Sequence, residues 1–128
     1  MGELVVPVSV GELIDKITIL RIKERKISDP TKLMNVKTEL QALVAVCGKH
    51  AISLTQPGVD DLERVNQRLW DIEDAIRVKE AEKAFDSEFI ELARSVYLIN
   101  DERAAIKSRI NKACGSALRE EKSYKNYK

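Results

Sequence analysis

The sequence predicts an all-α antiparallel helical bundle built from two helical hairpins. Three observations support this. Apolar residues recur at spacings of three and four in four separate stretches. Ser, Asp, Pro and Gly fall between those stretches, where helices start and stop. The chain has 128 residues, 44% of them apolar, which is enough for one domain with a core of its own.

Residues 1–9 read as a short extended strap across the bundle. Pro7 biases Val6 away from the helical region and limits the segment to an edge strand or a strap. Ser9 and Glu12 then match a capping box that opens helix 1, expected at about 10–27. Its seam is Val10, Leu13, Ile17, Leu20, Glu24 and Ile27. Ile14, Ile19 and Ile22 add apolar surface on other faces, which marks this helix as central. Ser28-Asp29-Pro30 ends it and starts helix 2, expected at about 30–47, because Pro suits the first helical position. Leu33, Val36, Leu40, Leu43 and Cys47 form the second seam, and Gly48 reads as the stop. The first hairpin therefore has a tight turn.

Residues 48–58 are the one substantial loop, from which Ile52 and Leu54 are expected to tuck inward. Helix 3 is expected at about 59–83, with Leu62, Val65, Leu69, Ile72 and Ile76 as its seam. Helix 4 is expected at about 87–113, capped by Asp86 or Ser87, with Phe85 stapled onto Ile90 and Gly115 as the stop. Its seam is Phe89, Leu92, Val96, Ile99, Arg103, Ile106, Ile110 and Ala113. Residues 115–128 read as a polar, fraying tail. Such seams suit shallow-angle packing, as in bundles and coiled coils. The second hairpin is longer than the first, so one end lacks cover. That end invites a partner, most simply a second copy, which makes a homodimer the expected state.

Composition excludes several functions. Lys and Arg number 22 and Asp and Glu 21, a net charge of +1, with the two signs interleaved. Nucleic-acid binding therefore has little support. No stretch reaches the roughly 18–20 apolar residues of a membrane span, and the N-terminus lacks the basic region of a secretory signal. Two cysteines, Cys47 and Cys114, make no disulfide framework, and one histidine, His50, cannot complete a zinc site with them. Both cysteines fall at apolar helix positions and read as core filler. The expected location is the cytoplasm, with reduced thiols. No catalytic set, no metal site and no cofactor motif is present: the chain has no Gly-rich phosphate loop and no Ser/His/Asp or Cys/His arrangement. Asp71 and Asp74 share a helix face but point away from the seam, and Glu88 and Glu91 supply no second carboxylate set for Mg²⁺.

Some residues break the pattern. Helix 4 carries a second apolar stripe of Ile90, Ala93, Tyr97, Asn100 and Ala104. Asn100 interrupts that stripe at the level where Arg103 interrupts the first. Glu24 interrupts helix 1 in the same way. Buried charges must be paired, so Glu24 and Arg103 form the expected pair. Two readings stand. One is a polar layer that fixes register. The other is a pocket for a small anionic ligand, lined by Glu24, Arg68, Asn100, Arg103 and Lys107. Trp70 lies on an apparent outer face of helix 3 with Arg77 beside it. Together with Ile90 and Tyr97 it reads as an interface anchor, unless the strap or the 48–58 loop covers it.

Three segments carry a resemblance: SVGELIDKITILRIKERKISDPTKLMNVKTEL at 9–40, LWDIEDAIRVKE at 69–80, and FIELARSVYLINDERAAIKSRIN with the later GS and EEKSY at 89–124. Over nearly its whole length the chain resembles a small family of uncharacterised bacterial and phage proteins, a domain of unknown function. The resemblance implies no catalytic residue. It implies a setting beside glycosyltransferases and surface-polysaccharide genes, and so an adaptor for a protein partner in polysaccharide assembly. The function expected from the sequence is a self-associating structural or interaction module. The alternative is a binder or enzyme of a small anion at the polar layer.

Overall fold

A computed structural model describes residues 2–127. Four helices follow in order: α1 (Val10–Lys26), α2 (Pro30–Lys49), α3 (Val59–Ala81) and α4 (Ser87–Cys114). The all-α bundle expected from the periodicity is what forms. Helix α1 packs against all three others, α3 packs against α4, and α2 packs on α1 alone. The centrality of α1 follows from its buried faces, since Leu13, Ile14, Ile17, Leu20 and Ile22 are all buried. Helix α2 stands outside, with only Val36 and Cys47 buried.

The helix ends obey local rules. Ser9 Oγ accepts the Glu12 N–H, and Asp29 accepts from Thr31 and Lys32 ahead of Pro30. Asp86 accepts the Phe89 N–H and caps α4. Gly115 ends α4 with φ +61°, and Ser116 N–H returns to the Asn111 carbonyl. One local expectation changes. Helix α2 runs through Gly48 to Lys49, and the reversal comes at Ala51, where φ is +55°. Phe85 rests edge-on against Phe89, at 5.2 Å between ring centroids.

The main core lies at the base of the α3–α4 hairpin. Ile14 of α1 meets Val59, Leu62 and Val65 of α3 and Ile99, Ile106 and Ile110 of α4, with Ile52 and Leu54 of the loop against them. A second cluster joins Leu13 and Ile17 to Cys47 of α2. Cys114 is exposed, so only one of the two cysteines fills the core. Residues 2–8 form neither helix nor strand, and all are exposed. They do not cover the bundle as a strap would, because Leu4, Val5 and Val6 keep most of their surface in solvent. The tail does not simply fray. It turns back along α4, where Glu120 reaches Lys107 and the Tyr127 ring packs on Tyr97.

Candidate functional site

Gly11, Asp15, Thr18 and Ile22 form a stripe along α1 at spacings of four, three and four, and all four are buried. At the Gly11 end of this stripe α1 approaches α4 closely. A Cβ on Gly11 would stand 2.7 Å from the Lys107 carbonyl oxygen, so only glycine fits there. Gly11 N–H donates to Asn111 Oδ1 at 2.6 Å. This contact sets the antiparallel register in which Glu12 meets Lys107 and Asp15 meets Arg103.

Asp15 is the centre of the arrangement, with a relative exposure of 1%. Its Oδ1 accepts from Arg103 Nε at 2.9 Å and from Asn66 Nδ2 at 2.8 Å. Its Oδ2 accepts from Arg103 Nη2. Asn66 Nδ2 also donates to Thr18 Oγ1 at 2.9 Å, and Thr18 Oγ1 donates to the Asp15 carbonyl at 2.8 Å. Lys107 Nζ lies 2.7 Å from Glu12, 3.8 Å from Asp15 and 3.4 Å from Glu120. Among the described residues, no buried side-chain nitrogen or oxygen lacks a hydrogen-bond partner. A carboxylate this buried is tolerable only because it is paired and bonded on both oxygens.

Burial pushes the Asp15 carboxyl up, but bonds from Arg103 and Asn66 and the charges of Arg103 and Lys107 hold it below the ordinary value. The bond to Asp15 raises the Arg103 guanidinium in turn. Burial likewise pushes Glu120 up, and Lys107 and Lys122 outweigh it and leave it lowered.

The structure brings Asn100, Arg103 and Lys107 together and leaves Glu24 and Arg68 out. Glu24 is exposed, and the partner of Arg103 is Asp15. Beyond Asp15, the side-chain bonds of α1 go to α3: Arg21 bonds Glu63, and Arg25 bonds Glu63 and Gln67. Arg68 pairs with Glu102 and lines a separate cleft of about 500 Å³ with Tyr127. The members that periodicity alone missed are Glu12, Asp15, Thr18, Asn66, Asn111 and Glu120. A signal was present on α1, where Gly11, Asp15 and Thr18 recur on one face at helical spacing.

Two clefts open from Arg103. The larger, of about 370 Å³, is lined by Ile19, Asn66, Leu69, Trp70, Glu73, Asp74, Arg77, Asn100 and Arg103. Trp70 is half-buried there, and Arg77 pairs with Glu73 at 3.8 Å. The smaller, of about 230 Å³, lies between α4 and the tail. Ile90 and Tyr97 are exposed further along α4. Among the described residues no helix is long and apolar enough to cross a membrane.

Comparison with known proteins gives a family and no activity. A family of unknown function, DUF6165, matches residues 4–127, and the chain belongs to it. No curated protein and no solved structure matches the chain.

Proposed function

We propose that this chain is a self-associating helical interaction module, and that its dimer forms through the outer half of the α3–α4 hairpin. One observation carries the reading: no residue from 67 to 98 is buried, although Leu69, Ile72, Ile76, Phe89, Leu92 and Val96 continue both seams through it. Two helices alone cannot enclose their apolar faces. Two such hairpins, packed face to face, make a four-helix arrangement that can. Val78, Phe85, Ile90 and Tyr97 lie in the same stretch and are more than two-fifths exposed. Exposed apolar residues concentrated in one stretch favour an interface there.

Trp70 stands at the root of this surface and Arg77 about two turns further out, and both are of the residue types that dominate binding energy. A twofold arrangement uses the same patch on both copies and leaves no open end. The closed bonding around Asp15 then serves to fix the register that holds the hairpin. A reducing cytoplasm suits the module, given the exposed free thiol of Cys114.

Light scattering tests the proposal. The wild-type chain should have the mass of a dimer. Ile90→Glu combined with Tyr97→Glu should have the mass of a monomer, with its helical circular dichroism retained. Trp70→Ala should weaken association at least about tenfold, the size of a modest hot spot. A wild-type chain that stays monomeric at high concentration overturns the proposal, as does a Trp70→Ala chain that associates as well as wild type.

A further inference from the structure

The segment after Gly115 forms a strap along α4. Ser116 Oγ accepts the Val10 N–H at 3.2 Å, which fixes one end. At the other end the Tyr127 ring meets Tyr97 at 5.0 Å between centroids, and the Tyr127 hydroxyl donates to Asp101. Between these anchors the strap roofs the cavity of about 230 Å³. Asn100, Arg103, Lys107, Glu120, Lys122 and Tyr124 line it, with Ala104 as the apolar member.

The charges of this cavity are unequal in kind. Arg103, Lys107 and Lys122 contribute three cations. On the α1 side Asp15 and Glu12 answer Arg103 and Lys107. The one carboxylate among the lining residues is Glu120, which bridges Lys107 at 3.4 Å and Lys122 at 3.3 Å. With Glu120 in place the set is balanced. With Glu120 swung into solvent the cavity holds a surplus positive charge. Arg103 Nη1 makes only a long contact, 3.5 Å to Asn100 Oδ1, so a donor remains for a stronger acceptor.

We infer that this cavity binds a phosphomonoester, and that Glu120 is the internal anion the phosphate displaces. A tetrahedral dianion uses what the walls offer: a guanidinium, two ammonium groups, an amide and a phenol. A planar carboxylate ligand would leave part of this set unused. The volume falls below the roughly 300–1,000 Å³ of sites that enclose a drug-sized molecule. It therefore suits the phosphate group itself, with the rest of the ligand outside. Glu120 and Lys122 are both exposed, so they can move without opening the core.

Calorimetric titration of the full chain with glycerol 3-phosphate and with inorganic phosphate tests this, beside sedimentation with vesicles carrying phosphatidic acid. Saturable binding of the soluble phosphate is expected. Glu120→Gln should tighten it about fivefold by removing the competing carboxylate. Lys122→Met should weaken it about tenfold. Both variants should melt within a few degrees of wild type, because Glu120 and Lys122 are exposed and their ion pair is screened. Binding to the vesicles alone assigns the phosphate to a lipid headgroup and upholds the site. Absence of binding to soluble phosphate and vesicles, in wild type and in Glu120→Gln, overturns it. So does an affinity that neither substitution changes.

Discussion

In the first turns of α3, Val59, Leu62, Val65 and Asn66 are buried, and in the last turns of α4 so are Ile99, Ile106, Lys107, Ile110 and Asn111. Between residues 67 and 98 none is. The two halves of this hairpin have the same apolar spacing, so periodicity does not separate them. A third helix does. Every hydrogen bond and ion pair from α1 to α3 ends between Glu63 and Gln67, and every one to α4 ends between Arg103 and Asn111. The inner half thus gains a core and a closed polar network. The outer half keeps a half-covered seam. Substitutions in the inner half should act on folding, and those in the outer half on association.

The largest effect is expected at Arg103. Arg103→Met leaves the Asp15 carboxylate buried without its main partner and should cost about 3–5 kcal/mol in urea unfolding. Pairing it with Asp15→Leu should recover most of that loss, because an apolar pair carries no desolvation penalty. Recovery would show that the charges select a register that an apolar contact can also hold. Continued loss in the double variant would make Asn66 and Thr18, left without their carboxylate, the dominant problem.

Acid should act on the same half. Asp15 titrates below its ordinary value of 3.8 in the folded chain. The stability it contributes is present above that ordinary value and is lost as pH falls through the lowered one. Urea midpoints should therefore fall steeply in this acid window for wild type. In Asp15→Asn, already less stable at neutral pH, that part of the decline should be absent.

Next in size is Gly11→Ala. The new methyl meets backbone at the Lys107 carbonyl, which cannot swing aside as a side chain would. A cost of about 1–3 kcal/mol is expected, with α1 and α4 forced apart. A chain as stable as wild type would mean that the two helices do not approach this closely. In the outer half, Ile90→Glu should change monomer stability by no more than about 0.5 kcal/mol while reducing association.

The same contrast explains what the sequence could show. The four helices, the caps at Ser9, Asp29 and Asp86, and the stop at Gly115 rest on residues within a few positions of one another, so they were legible. That a charge in the Arg103 layer must be paired was legible too. Its partner was not. Glu24 occupies a seam position, but periodicity does not say how far along α1 the contact with α4 lasts. Asp15 lies in the stripe with Gly11 and Thr18, which marks a polar contact without naming the helix that meets it. The tail reads as polar and unattached because its contacts, Glu120 with Lys107 and Tyr127 with Asp101, join residues far apart in sequence.

Tyr127 gives the smallest and most local test, at the point where the strap reaches the boundary between the halves. Its hydroxyl donates to Asp101, and that bond pushes the phenol up to about 12. Its ring packs on Tyr97, which belongs to the outer half. Tyr127→Phe keeps the ring contact and removes the hydroxyl. In an absorbance titration the ionisation near 12 should vanish from the variant, and the melting temperature should stay as it was. Hydrogen exchange then separates two roles for the strap. Faster exchange confined to residues after Gly115 would mean that the hydroxyl holds the strap and leaves both halves of the hairpin unchanged. Faster exchange spreading into 89–98 would mean that the strap is part of what orders the outer half, and that its exposed seam is supported from within the chain before any second copy arrives.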